Sequence, residues 1–134
     1  MSQENVEILR RFGEAFNEGG FSSDVTMSFF GPDAVFEEPP EQPGASIARG
    51  PESIRRMFTK FDEAWEQHRS DPEDVQVLDD ERVLVLTLER FRGRDGLEIE
   101  QPGGTIFTFR DGKIARMQSF WERENALAAA GLSD

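Results

Sequence analysis

A change of hydrophobic period near the middle of the chain constrains the fold more than any other feature. Up to His68, apolar residues recur three and four apart, the spacing of one helix face. From Val75 onward they recur every second residue, the spacing of one strand face. Helices followed by a strand meander make an α+β order.

Breakers divide the helical half. Ser2 can cap a first helix whose stripe is Val6, Leu9, Phe12 and Phe16, ended by Gly19-Gly20. A short second helix from about Ser23 spaces Phe21, Val25 and Phe29 four apart and stops at Gly31-Pro32. Ala34 to Glu38 reads as a strand, followed by a stiff loop holding Pro39, Pro40, Pro43 and Gly44. Gly50-Pro51-Glu52 opens a third helix with Pro at its first position, and its stripe runs Ile54, Met57/Phe58, Phe61, Ala64/Trp65 and then His68.

In the second half, strands are expected at about 74–79, 82–92, 97–109 and 113–121. Asp95-Gly96 and Asp111-Gly112 are hairpin signals. Pro102-Gly103-Gly104 predicts a bulge or bend in a long strand. An Ala-rich helix at about 122–130 closes the chain. With 134 residues and no repeat or linker, residues 1–134 read as one domain. An antiparallel sheet bent at a bulge wraps around the three N-terminal helices as a cone with an apolar inside.

Composition bears on what that inside can do. Twelve Phe against two Trp and no Tyr supply large apolar surfaces with no phenol. A net charge of −12 repels phosphate backbones and anionic lipid, so neither nucleic acid nor a membrane is an expected partner. Without Cys there is no thiolate nucleophile, and one His excludes two-histidine metal sites, so no metal and no cofactor are expected. No charged-then-apolar leader is visible, and a cytoplasmic location is the expectation.

Five stretches carry a family resemblance. They are Val6-Glu-Ile-Leu-Arg-Arg-Phe-Gly-Glu-Ala-Phe-Asn-Glu-Gly, Pro32-Asp-Ala-Val-Phe-Glu-Glu-Pro, Gly50-Pro-Glu-Ser-Ile-Arg, Phe107-Thr-Phe-Arg-Asp-Gly-Lys-Ile and Glu122-Arg-Glu-Asn-Ala-Leu. In this order the chain resembles the nuclear transport factor 2-like superfamily, in its SnoaL-like polyketide cyclase and ketosteroid isomerase branches. The resemblance implies a cone-shaped fold, and that fold hosts enzymes, binders and association domains alike. It also implies a pocket base at the end of the first strand, just before a Pro, which is Glu38 here. The isomerase's Tyr falls at Phe12 and its oxyanion-stabilising Asp near Thr105, a place where SnoaL-like relatives often carry His. A steroid-type isomerase therefore lacks its oxyanion donors.

Three residues are candidates for chemistry. Strand alternation puts Glu37 and Glu38 on opposite faces; turned inward among Phe rings, Glu38 is a desolvated candidate base. The bland alternative makes Glu37, Glu38 and Glu41 a solvated acidic rim. His68 is either a proton shuttle at the pocket floor or a half-exposed residue ending its helix. Glu89 shares a strand face with Thr87 and Phe91 and either pairs with Glu38 for acid and base work or makes a surface salt bridge to an Arg. Both faces of that strand begin apolar, so which one lines the pocket stays open.

By the resemblance, Met117, Ser119 and Trp121 face inward with Thr105 and Phe107, and Phe12, Phe16, Phe30, Phe36, Phe58 and Trp65 complete the wall. The alternative is that these residues fill the core. The leading expectation is a small apolar or polycyclic ligand bound in the cone, with cofactor-free isomerase, cyclase or hydrolase-like chemistry at Glu38. A non-catalytic carrier or sensor and a filled association domain are the rivals. A homodimer is expected, because relatives pair through the outer sheet and the Leu84, Leu86, Leu88 face needs covering.

Overall fold

The computed structural model describes residues 2–132. In chain order the elements are α1 (Ser2–Gly19), α2 (Asp24–Met27), β1 (Phe30–Glu37), β2 (Ile47–Arg49), α3 (Pro51–Ala64), β3 (Gln67–Val77), β4 (Arg82–Arg92), β5 (Glu98–Arg110), β6 (Lys113–Phe120) and α4 (Arg123–Ala129). The capping role expected of the Ser2 side chain lies outside the described residues. Six strands form one curved, unclosed sheet in the order β2-β1-β6-β5-β4-β3. Four of the five pairings are antiparallel, and β1 runs parallel to β6.

Local chemistry explains most element ends. Ser23 caps α2 by accepting from the Thr26 N–H. Gly50, at φ 86°, turns the chain into α3, and Pro51 begins the helix where a missing N–H costs nothing. Asp111 and Gly112 both have positive φ, as a two-residue type I′ hairpin requires, and they join β5 to β6 between the paired Arg110 and Lys113.

Three expectations are corrected. His68 is not the last member of a helical stripe: α3 ends at Ala64, Trp65 is already extended, and the Glu66 N–H bonds the Arg92 carbonyl to start the β3–β4 ladder. β3 therefore begins seven residues before the expected 74. It does so on a polar run, Gln67 to Asp74, as suits an edge strand. Pro72 is tolerated there next to a register shift. The Pro102-Gly103-Gly104 stretch holds no bulge, because β4 and β5 stay in register from Arg82↔Thr108 to Arg92↔Glu98. The register shift lies instead in the β5–β6 pairing, where Thr108 pairs with Arg116 and Phe109 with Ile114, so the extra residue, Ala115, belongs to β6.

Two apolar clusters flank the sheet. On its concave face Phe12, Phe30, Phe107, Phe109, Ile114 and Met117 pack with Ile54 and Phe58. On the outer face α4 lays Ala126 over Leu84 and Ile106. That settles the orientation of β4: Val83, Val85, Thr87, Glu89 and Phe91 face the concave side, and Leu84, Leu86 and Leu88 the outer one. Leu84 is 0% exposed beneath α4, so this chain itself covers much of the face invoked for pairing. No helix among the described residues is long and apolar enough to cross a membrane.

Candidate functional site

Above the concave core the sheet stays open and leaves a cavity of about 370 Å³, within the usual range for small-molecule sites. Its apolar wall comes from Phe21 after α1, Phe36 of β1, Phe58 and Phe61 of α3, and Phe91 of β4. Stacking of Phe21 on Phe58 at 4.4 Å and the edge contact of Phe36 with Phe58 at 5.0 Å fix these rings against each other. Trp121, at the end of β6, borders the cavity and remains partly exposed.

Polar groups enter this wall from the open half of the sheet. Thr87 and Glu89 project from β4, Gln101 and Thr105 from β5, and Ser119 from β6. Gly103 and Gly104 expose main chain to the same space, and Lys60 of α3 stands at its exposed side.

His68 and Glu89 meet here. His68 Nε2 lies 2.7 Å from Glu89 Oε1, and the Ser70 hydroxyl donates to Glu89 Oε2 at 2.5 Å. The β3–β4 register causes this, since Ser70 lies opposite Glu89 and His68 opposite Phe91. The imidazole stacks on Phe91 at 4.4 Å and meets the rings of Phe16, Phe21 and Phe61 at 4.9, 5.1 and 4.9 Å. Only 6% of the His68 side chain is exposed, and its Nδ1 is buried without a partner. Behind Ser70, Asn17 of α1 clamps the strand: its Nδ2 donates to the Ser70 carbonyl and its Oδ1 accepts from the Ser70 N–H.

Glu38 also lines the cavity, half-buried just past the end of β1, but it is not a bare carboxylate among rings. Oε1 accepts from the Ser46 N–H and hydroxyl, both at 3.0 Å, and Oε2 accepts from Gln42 Nε2 at 3.0 Å. Its neighbour Glu37 turns the other way and pairs with Arg116 on the outside of β6. Glu41, from the same loop, accepts from the Trp121 and Glu122 N–H groups and from Asn125 Nδ2. Burial alone would raise the Glu41 carboxyl, but these hydrogen bonds outweigh it and hold it below the usual carboxylate range.

The cavity thus gathers Glu38, His68, Glu89, Phe36, Phe58, Thr105, Ser119 and Trp121 of the expected set. Phe12, Phe30, Phe107 and Met117 lie in the closed core instead, because helices α1 and α3 fill that end of the cone. Phe16 and Trp65 border a second, more polar cleft that His68 also lines. Glu89 pairs with neither Glu38 nor an Arg; the adjacent Arg90 faces outward to Asp71 and Glu100. Sequence reasoning passed over Ser70 and Asn17, whose role follows from a polar edge strand that shows no alternation. No group of three His, Asp or Glu side chains placed to hold a metal ion occurs among the described residues.

Known proteins place this architecture. The SnoaL-like domain model matches residues 9–117, most of the chain. The chain belongs to the SnoaL-like domain family. Solved structures agree on the fold of this SnoaL-like protein. TerC, co-crystallised with polyporic acid, is 18% identical over 96% of this chain and 97% of its own, with a TM-score of 0.77. A candidate polyketide cyclase from Xanthomonas campestris pv. campestris is also 18% identical, over 96% and 98%, with a TM-score of 0.76. Another candidate polyketide cyclase, from Sinorhizobium meliloti, is 24% identical over 89% and 98%, with a TM-score of 0.69. Among curated proteins no sequence matches.

Proposed function

We propose that this SnoaL-like protein binds a small, flat apolar or aromatic molecule, polycyclic ones included, and moves a proton on it without a cofactor, as an isomerase or cyclase does. One observation supports this reading above the rest. A Phe-walled cavity of about 370 Å³ holds a carboxylate already oriented by hydrogen bonds. Apolar walls select a flat ring system, and the few polar groups fix its orientation. A carboxylate in a water-poor space is a general base for a weakly acidic C–H or O–H.

A non-catalytic carrier is the second reading, and the three hydrogen bonds tying Glu38 to Ser46 and Gln42 favour it, since they turn one cavity acid to structural use.

Ligand binding is tested through Trp121, which borders the cavity while Trp65 does not. In a Trp65→Phe background, hydroxylated anthraquinones and steroids are expected to alter Trp121 emission saturably and to raise the unfolding midpoint. The stabilisation is about 2.7 kcal/mol at a hundredfold excess over Kd. A panel of such compounds that changes neither signal refutes the binding reading.

A further inference from the structure

We propose that Glu89, oriented by His68 and Ser70, is the proton acceptor of this cavity, and that Glu38 serves instead as the anchor of its loop. The inference rests on the binding reading above and assigns the chemistry within it to one residue.

The two cavity carboxylates differ in what their oxygens do. An ionised carboxylate offers about four lone-pair sites. Glu38 uses three of them, all toward residues 42–46 of its own loop, and its main-chain N–H bonds the Ser46 carbonyl as well. Its geometry follows the loop. Glu89 uses two sites, one on each oxygen, for His68 Nε2 and the Ser70 hydroxyl. One site on each oxygen is left free, and 21% of the side chain remains open.

Support for the two residues differs too. Glu38 follows the last residue of β1 and precedes Pro39 and Pro40. Glu89 sits on β4, paired on one side with Ser70 of β3 and on the other with Gln101 of β5. A carboxylate on a strand hydrogen-bonded along both edges keeps its position better than one on a loop.

His68 is the positioning residue in this arrangement. Its ring is sealed by Phe16, Phe21, Phe61 and Phe91, so it presents no open nitrogen to a ligand. Because an ionised carboxylate only accepts, Nε2 must carry the proton that faces Glu89. The imidazole therefore holds the Glu89 carboxylate in place, and Asn17 holds Ser70 from behind.

The same cavity supplies donors. The side chains of Gln101, Thr105 and Ser119 line it and make no hydrogen bond to another described residue. The substrate class that fits is a flat ring ketone with an acidic C–H beside its carbonyl. A free lone pair of Glu89 takes that proton, the C–H electron pair moves onto the carbonyl oxygen as an enolate, and the free side-chain donors stabilise it. Where the ring carries a C=C next to that carbon, the anion is a dienolate, and Glu89 returns the proton to its far carbon while the double bond moves into conjugation with the carbonyl. This isomerisation consumes no other reactant. In a ring closure the enolate carbon instead attacks a second carbonyl carbon of the same molecule, whose C=O electron pair moves onto oxygen, and Glu89 returns the proton to that alkoxide.

The experiment uses 5-nitrobenzisoxazole, a flat carbon acid. A base removes its ring proton while the N–O bond breaks, releasing a coloured cyanonitrophenolate. Turnover is measured for the full chain and for Glu89→Gln and Glu38→Gln, with probe binding followed by Trp121 emission. Glu89→Gln is expected to lose about a hundredfold in kcat, the usual share of a general base, with probe binding retained. The loss in Glu38→Gln is expected to be at least about tenfold smaller. The only imidazole of the chain supplies a second readout. Its ¹⁵N resonances should report an Nε2–H tautomer that shifts in Glu89→Gln and not in Glu38→Gln. A larger loss in Glu38→Gln overturns the assignment, as does an Nδ1–H tautomer. Bound probe without acceleration by the parent protein also overturns it while leaving the binding reading intact. A probe that does not bind overturns both.

Discussion

α4 packs closely over Gly104, and one methyl group there should push helix and sheet apart. A Cβ built on Gly104 lies 2.7 Å from Ala126 Cβ and 3.3 Å from Leu86 Cδ2. Carbon atoms pack best at about 3.5–4.0 Å, so α4 must lift by roughly 1 Å. Ala126 Cβ is fixed to its helix backbone and has no rotamer by which to withdraw. Overpacking of this kind costs about 1–3 kcal/mol. The extended backbone at Gly104 suits Ala, which returns about 0.4–1 kcal/mol through the unfolded state. Gly104→Ala should therefore lose about 1–2 kcal/mol of stability. Urea unfolding followed by circular dichroism reads this as a lower midpoint at unchanged slope. Ala126→Gly alone should cost about 1 kcal/mol in helix propensity. The double variant should be no less stable than Ala126→Gly, because the clash is gone, giving a coupling of about 1–2 kcal/mol. Strict additivity of the two changes would refute the close approach.

Two further outcomes follow from hydrogen bonds around the cavity. Glu41 titrates below its usual range in the folded protein, so its stabilising effect is present above the unfolded carboxylate pKa. That effect is lost as pH falls through the lower folded value; urea midpoints measured from pH 7 to pH 3 should fall less steeply in Glu41→Gln than in the parent, and parallel curves would count against the tether between this loop and α4. Asn17→Ala removes both bonds to the Ser70 main chain and should cost about 1–3 kcal/mol, with faster amide exchange at Ser70; unchanged exchange there would show that the clamp carries no stability.

Several features were legible before any coordinates because the interactions behind them are local. Gly50-Pro51 starts a helix, Asp111-Gly112 forms a type I′ turn, and the Val- and Leu-rich run from Val83 to Leu88 makes a strand, each by the preferences of a few adjacent residues. The order of those elements carried the fold class, and Glu38 and Glu89 already stood out as acids on strand-like segments. Long-range pairing decided the rest. Which face of β4 lines the cavity depended on α4 burying Leu84, some forty residues away in sequence. The role of His68 depended on β3 pairing with β4, although Gln67 to Asp74 shows no hydrophobic alternation to announce a strand. Phe12 and Phe58 are alike as residues, yet one lies wholly in the core and the other also borders the cavity. A side chain's type limits what it can do, and the partners that tertiary packing brings to it settle whether it fills a core, ties down a loop or faces a ligand.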